Sequence, residues 1–468
     1  MFEEEDDEFM EGNLKGDIER FENYLSTGEI GFIDSDQMEL IIDYYLFQSQ
    51  YTKANAAAEL ALSTYPYNEV FKLRRAQAIS ALGQLKEALT LLSEIKLLES
   101  HMGEYLLTKA SIFSQLRDHK RAIKFFKEAL EHSSTPEDKD EIFLDLAFEY
   151  EAENDYASAI QILLEAVKNN PNNEGALYEL AFCYDIVGEY DQAIKSYSDF
   201  IDNNPYSFTA WYNLGNTYSK KEDYHQAIWA YEYSIIINDD FGPAYYNLGN
   251  SHMGIDQFEQ AIEAFDRCLA IDGDDAMVLC NVGECYEQLS ELEKAESFYR
   301  RSLELAPQLP DAWLGLGIVE DLKGDTVSGI KMLLKANDLD PNNSGILQVL
   351  AGAYEKLEDF EQACNYYNES LMIDPSDEEG LKTYILLLCR IIPMVEVLNF
   401  LESYAFEFGE NKKLNLLKVH VLYELGRGSE AYELFKDCVF EDVEQAKELY
   451  LYNPKIMDDT DFTNLTNQ

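Results

Sequence analysis

Positive charge is scarce in this chain. Lys and Arg number 36 against 89 Asp and Glu, which leaves a net charge of −53. That balance argues against nucleic acid as a partner, because neutralising phosphates needs clustered Lys and Arg. It argues equally against anionic membrane surfaces. Two readings remain: charge that keeps a large exposed surface dissolved and monomeric, or attraction of a basic partner. Histidine is rarer still. His101, His119, His132, His225, His252 and His420 are scattered, and none stands with Cys or a carboxylate at metal-ligand spacing, so no metal is expected. The seven cysteines are odd in number and lie in stretches of helical periodicity. Cys183 and Cys285 share one repeat position, and Cys268 and Cys438 another. That is the use of a small apolar side chain in a core, not a disulfide framework, and it points to a reducing, cytoplasmic compartment. No apolar run approaches the length that spans a bilayer. The acidic start MFEEEDDEF is no signal or transit peptide. No Gly-rich loop leads from a strand into a helix, and no catalytic constellation is present, so neither a cofactor nor an enzyme activity is expected.

What the chain does have is a small residue that returns every 34 positions. Ala54, Ala88 and Ala122 are followed, after one step of 37, by Ala159, Ala193, Ala227, Ala261, Ala295, Gly329, Ala363, Val397 and Ala431 at 34 each. A fixed period of this length means one supersecondary unit stacked on copies of itself. Residues 208–241 hold the clearest copy. Trp211, Leu214, Gly215 and Tyr218 share one helix face by their three- and four-residue spacing. Lys221, Glu222 and Asp223 then break the apolar pattern as a tight turn, and Ala227, Tyr231 and Ser234 form the inner face of a second helix. Gly costs about 1 kcal/mol against Ala inside a helix, so its return as Gly215, Gly249, Gly283 and Gly317 needs a packing reason: close approach of two backbones. Pro66, Pro171, Pro205, Pro307, Pro341 and Pro375 stop second helices where the next unit begins.

The pattern Trp211-x2-Leu214-Gly215-x2-Tyr218, then Ala227, Tyr231 and, in sister copies, Pro, resembles the tetratricopeptide repeat. The resemblance implies an all-α, right-handed α-solenoid of about twelve 34-residue helix-turn-helix repeats. It also implies a protein- or peptide-binding role, with the first helix of each repeat lining a concave groove. The match covers residues 35–445, with a 37-residue third repeat at 103–139. The small first-helix position becomes Ile42, Ile385 and Val419 in the terminal copies. One continuous solenoid is expected. The stretch 132–140 would lengthen a loop or, less simply, form a hinge. Residues 1–34 read as an acidic tail (1–11) and a capping helix marked by Leu14, Ile18, Phe21 and Leu25. Residues 446–468 read as the remainder of a closing helix (Val443, Ala446, Leu449, Tyr450) and a frayed tail from 455.

The candidate site lies on the first helices. Asn213, Asn247 and Asn281 fall at one repeat position and Asn216 and Asn250 at another, three residues on. They point away from the Leu/Gly/Tyr face. By the resemblance, such rows can act as asparagine ladders that hold the backbone of an extended peptide, since an amide both donates and accepts. The competing reading is that NLGN is consensus that supports the fold. Inward positions of repeats 4–10 carry Glu141, Asp145, Glu151, Glu179, Asp185, Glu284, Glu287, Asp311, Asp321 and Glu355 against Lys220 and Lys356 alone. The Lys/Arg set of the family's carboxylate-clamp members is missing. Tyr178, Phe182, Tyr212 and Tyr246 offer flat faces for apolar or cationic side chains. The expectation is therefore a non-enzymatic scaffold for basic or extended peptide segments, contacted through Asn213, Asn216, Asn247, Asn250, Asn281, Glu284, Tyr178, Tyr212, Tyr246 and Asp185. A structural adaptor that uses its convex face or ends, as a monomer or a dimer, is the alternative. Oligomeric state is not legible in the sequence.

Overall fold

Each period becomes a hairpin of two helices in the computed structural model, which describes residues 14–28, 33–96, 101–133, 135–409 and 412–466. Among the described residues all regular structure is helical. The twelve recurring positions from Ala54 to Ala431 are fully buried, which is the close helix approach that the period implied. The recurring glycine has a direct cause. A Cβ on Gly215 would sit 2.6 Å from the ring of Tyr231 on the second helix, too close for any side chain. Ser234 adds a polar tie: its hydroxyl donates to the Phe208 carbonyl at 2.9 Å. Ser302 does the same to Ala276 at 2.6 Å.

The turn between the two helices repeats as strictly as the core. A residue with positive φ recurs at Ser49, Gly83, Arg117, Asn154, Gly188, Glu222, Asp256, Ser290, Gly324, Glu358 and Gly426. In most turns the next N–H closes back onto the carbonyl five residues earlier, as in Asp223 to Tyr218 at 3.0 Å. This is the six-to-one bond of a helix stop built on a left-handed residue. Asp223 then caps the second helix through its side chain. Repeat 11 breaks the series because Pro393 follows Ile392, which is forced into extended conformation at φ −127°.

The chain forms two units, Met1–Asp239 and Asp240–Gln468. The first holds an opening helix, Leu14–Thr27, and repeats 1 to 6. Leu14, Ile18 and Phe21 are buried, with the Phe21 ring 5.7 Å from Tyr45 of repeat 1, whereas Leu25 is exposed, contrary to expectation. The expected acidic tail, 1–11, lies outside the described residues. The extra three residues at 132–140 do not lengthen a loop. They extend the first helix of repeat 4, Pro136–Ala152, to 17 residues, with Thr135 as its cap. Among its described residues the second unit holds repeats 7 to 12 and four short helices. The closing helix is two pieces, Val443–Ala446 and Leu449–Tyr452. The segment expected to fray instead forms Pro454–Met457 and Thr460–Thr466. Ile456 and Phe462 are buried, and the Phe462 ring lies 5.3 Å from Phe435 of repeat 12, so apolar burial holds the end down.

Candidate peptide-binding face

Within each unit the first helices of neighbouring repeats touch one another, while the second helices approach less closely. A first helix therefore has neighbours on two flanks as well as its own hairpin partner. That arrangement decides the fate of the asparagines. Asn213 was expected to be exposed, but only 2% of it is; its amide donates to the Leu177 carbonyl of the preceding repeat at 3.1 Å. Asn216 accepts from the Tyr231 hydroxyl at 2.7 Å. In the second unit Asn281 donates to the Asn250 side-chain carbonyl at 3.0 Å. Asn247 and Asn281 are half-buried. Asn213 thus ties two helices together and is closed to solvent, whereas Asn216, Asn247, Asn250 and Asn281 keep part of their surface exposed. At Asn213 the helix-wheel reading failed because a first helix is also covered on its flanks by the neighbouring repeats.

The charged residues behave differently. Lys220 pairs with Asp185 one repeat earlier, and Lys356 with Asp321. Arg390 takes Glu355 at 2.6 Å. The face's cations are thus consumed by carboxylates about one repeat away. Among the described residues no Lys or Arg pairs with Glu141, Asp145, Glu151, Glu179, Glu284, Glu287 or Asp311. In the first unit Glu151 accepts from the Cys183 thiol at 3.3 Å. Burial, and then Glu179, holds the Glu151 carboxyl above its ordinary range, against the pull of that hydrogen bond. Tyr178 is exposed and Tyr212 half-buried.

In the second unit the acids converge. Glu284, Glu287 and Asp311 line a pocket of about 470 Å³ whose other walls include Met277, Leu314 and Ile318. Glu287 accepts from the Tyr299 hydroxyl at 2.8 Å. Burial pushes the Glu287 carboxyl up to about 7, opposed by the Tyr299 hydrogen bond and assisted by Glu284. Burial and then Asp311 raise Glu284 as well. The nearby Cys280 thiol is pushed to about 12 by burial and then by Asp311, Glu284 and Glu287, so it stays protonated and is no nucleophile. Among the described residues no group of His, Cys, Asp and Glu is arranged to hold a metal. Apolar walls together with three carboxylates suit the stem and head of a Lys or Arg side chain. Sequence reasoning counted these acids but missed the apolar walls, since Leu314 and Ile318 arrive from the next repeat. Tyr246 is half-buried, its ring 6.0 Å from Phe265.

Comparisons with known families agree with this architecture. Models described as Tetratricopeptide repeat match residues 196–228, 240–308 and 344–377. One described as Anaphase-promoting complex, cyclosome, subunit 3 matches residues 117–200. The chain carries tetratricopeptide repeats. Its fold is that of a protein–protein interaction scaffold. No curated protein matches it in sequence. Solved structures similar to it include the APC/C hetero-tetramer Cut9-Hcn1, at 16% identity over 89% of this chain and 94% of that one, with a TM-score of 0.44. Another is a tetratricopeptide repeat protein from Parabacteroides merdae, at 15% identity over 53% and 99%, with a TM-score of 0.44. A third is YrrB, titled a TPR protein with an unusual peptide-binding site, at 18% identity over 40% and 96%, with a TM-score of 0.32. Among the described residues no helix is long and apolar enough to cross a membrane.

Proposed function

We propose that the chain is a non-enzymatic scaffold that binds basic, extended protein segments on its first-helix face, with the repeat 8–9 pocket as the anchor for a Lys or Arg side chain. The observation that carries this reading is the pocket itself: three carboxylates gathered beside apolar walls with no internal cation. Gathering like charges out of water is unfavourable, and a bound cation would offset it. Glu284, Asn247, Asn250, Asn281 and Tyr246 are the contacts assigned in the second unit, and Tyr178, Tyr212 and Asp185 in the first. Asn213 and Asn216 are assigned to the fold. Seven thiols, none in a disulfide, suit a reducing compartment such as the cytoplasm.

The test uses a fluorescein-labelled peptide of alternating Lys and Gly and its Glu counterpart, read by anisotropy. The Lys peptide should bind, the Glu peptide should not, and affinity should collapse between about 50 mM and about 0.5 M salt. Replacing Glu284 and Glu287 with Gln should remove most of the binding. Replacing the outer-helix acids Asp437 and Glu441, a charge-matched control, should not. Equal loss in both variants would reduce the effect to net charge and end the reading. One observation favours the adaptor alternative: Trp229, Tyr233 and Ile236 stand exposed at helical spacing on the second helix of repeat 6.

A further inference from the structure

The last three repeats carry an apolar row on the outside of their second helices. Those helices are Phe360–Ile373, Met394–Phe408 and Gly428–Glu441. Met372, Phe406 and Phe440 stand 34 residues apart, at one repeat position in the last turn of each helix. Phe406 is 94% exposed and Phe440 93%, and Met372 is exposed as well. In repeats 7 to 9 the same position holds Ala270, Glu304 and Asp338, so within the second unit the row belongs to repeats 10–12. Single exposed apolar residues are ordinary. Three at the same position on successive helices make a patch, and such patches mark contact surfaces. A hollow of about 610 Å³ lies beside Phe406, lined also by Asn399, Glu402, Ser403 and Glu407.

The charges around the row select its occupant. Residues three and four positions before an exposed helical residue share its face. Those positions, with the one just after, hold the exposed acids Glu369, Glu402, Glu407, Asp437 and Glu441. The one base among them, Lys436, faces Glu433 at 3.7 Å. The chain's own residues 1–13 contain seven acids and no base, so like charge turns that segment away. A second copy would set these acids against themselves, and each copy carries a net charge of −53. What remains is a basic partner with apolar side chains.

Spacing selects the partner's conformation. Neighbouring helices pack up to roughly 10 Å apart, which sets the interval between successive members of the row. On an α-helix, residues seven apart lie on nearly one face and rise by about 10.5 Å, a close match. On a strand, residues of one face come every ~7 Å, so the second and third of them straddle that interval.

We propose that the second helices of repeats 10–12 form a docking surface for a basic amphipathic helix of another protein. Its apolar stripe crosses Met372, Phe406 and Phe440, and its Lys and Arg side chains meet the flanking acids. This surface is separate from the acidic pocket of the first helices. A peptide of alternating Lys and Gly has no apolar side chain to seat there, so it does not read this face. The test uses the full chain and the fluorescein-labelled peptide (Leu-Lys-Lys-Leu-Leu-Lys-Leu)2, whose leucines follow the helical period. A peptide of the same length that alternates Leu and Lys has the strand period. Anisotropy should show the first binding at least tenfold more tightly than the second. Replacing both Phe406 and Phe440 with Ser keeps every charge and touches only exposed side chains. It should weaken the helical peptide at least tenfold, whereas replacing Glu284 and Glu287 with Gln should leave its affinity unchanged. Equal binding of the two peptides would overturn the proposal. So would native affinity in the Phe406→Ser, Phe440→Ser variant, or loss of binding in the Gln variant. Sedimentation velocity should find no self-association through this face; a dimer of the native chain that the Ser variant abolishes would give the surface to a second copy instead.

Discussion

Glu287→Gln separates the electrostatics of the acidic pocket from its packing. Glutamine keeps the volume and the acceptor for the Tyr299 hydroxyl but cannot ionise. The native carboxyl is held at about 7 against an ordinary 4.5, a difference of 7 − 4.5 = 2.5 units. At about 1.4 kcal/mol per unit the ceiling is about 3.5 kcal/mol, and partial access to solvent brings a realistic figure nearer 2 kcal/mol. The sign follows from the direction of the shift. A folded-state value above the unfolded one means the folded protein holds a proton that the unfolded chain has released. The contribution is therefore full below about pH 4.5 and is lost as pH rises through about 7. Urea denaturation at about pH 5 and about pH 8 reads it. Native and variant should have similar midpoints at the lower pH. At the higher pH the variant should be more resistant, because only the native carboxyl must ionise in a buried site. All other titrating groups are common to both chains and cancel in the difference. Parallel pH profiles for the two proteins would show that Glu287 is not held protonated, and the argument for a cation-seeking pocket would lose its electrostatic basis.

Asn213→Ala should act on stability rather than on ligand affinity, lowering it by about 1–3 kcal/mol because the amide is buried and bonded to the neighbouring repeat; a melting curve identical to that of the native chain would contradict this. The left-handed turn offers the opposite sign. Glu222 sits at φ 59°, so Glu222→Gly should relieve strain and stabilise by a net of about 0.5 kcal/mol after the added freedom of the unfolded chain. Glu222→Val, β-branched at a positive φ, should destabilise by more than about 1 kcal/mol, and thermal melts that rank the two variants the other way round would refute the turn assignment.

Much of the architecture was legible because helix pairing in a repeat is local. A small residue every 34 positions, with Tyr231 sixteen residues beyond Gly215, specifies a hairpin without reference to the rest of the chain. The acid excess on the first helices was legible for the same reason. The burial of Asn213 was not, because whether it meets water depends on Leu177, which belongs to another repeat. The segment from residue 455 was read as frayed; the ring partners that hold Phe462 lie in repeat 12, out of reach of any local pattern. The same limit governs charge. Lys220 and Lys356 counted as bases of the face, yet each is spent on a carboxylate 35 residues back, a pairing that no single repeat announces. Sequence alone determined the hairpin, its period and the sign of its charge, since each follows from spacings within one unit. Tertiary structure decided which polar groups remain available to a partner, because hydrogen bonds and ion pairs are short-ranged and their nearest acceptors lie in neighbouring repeats.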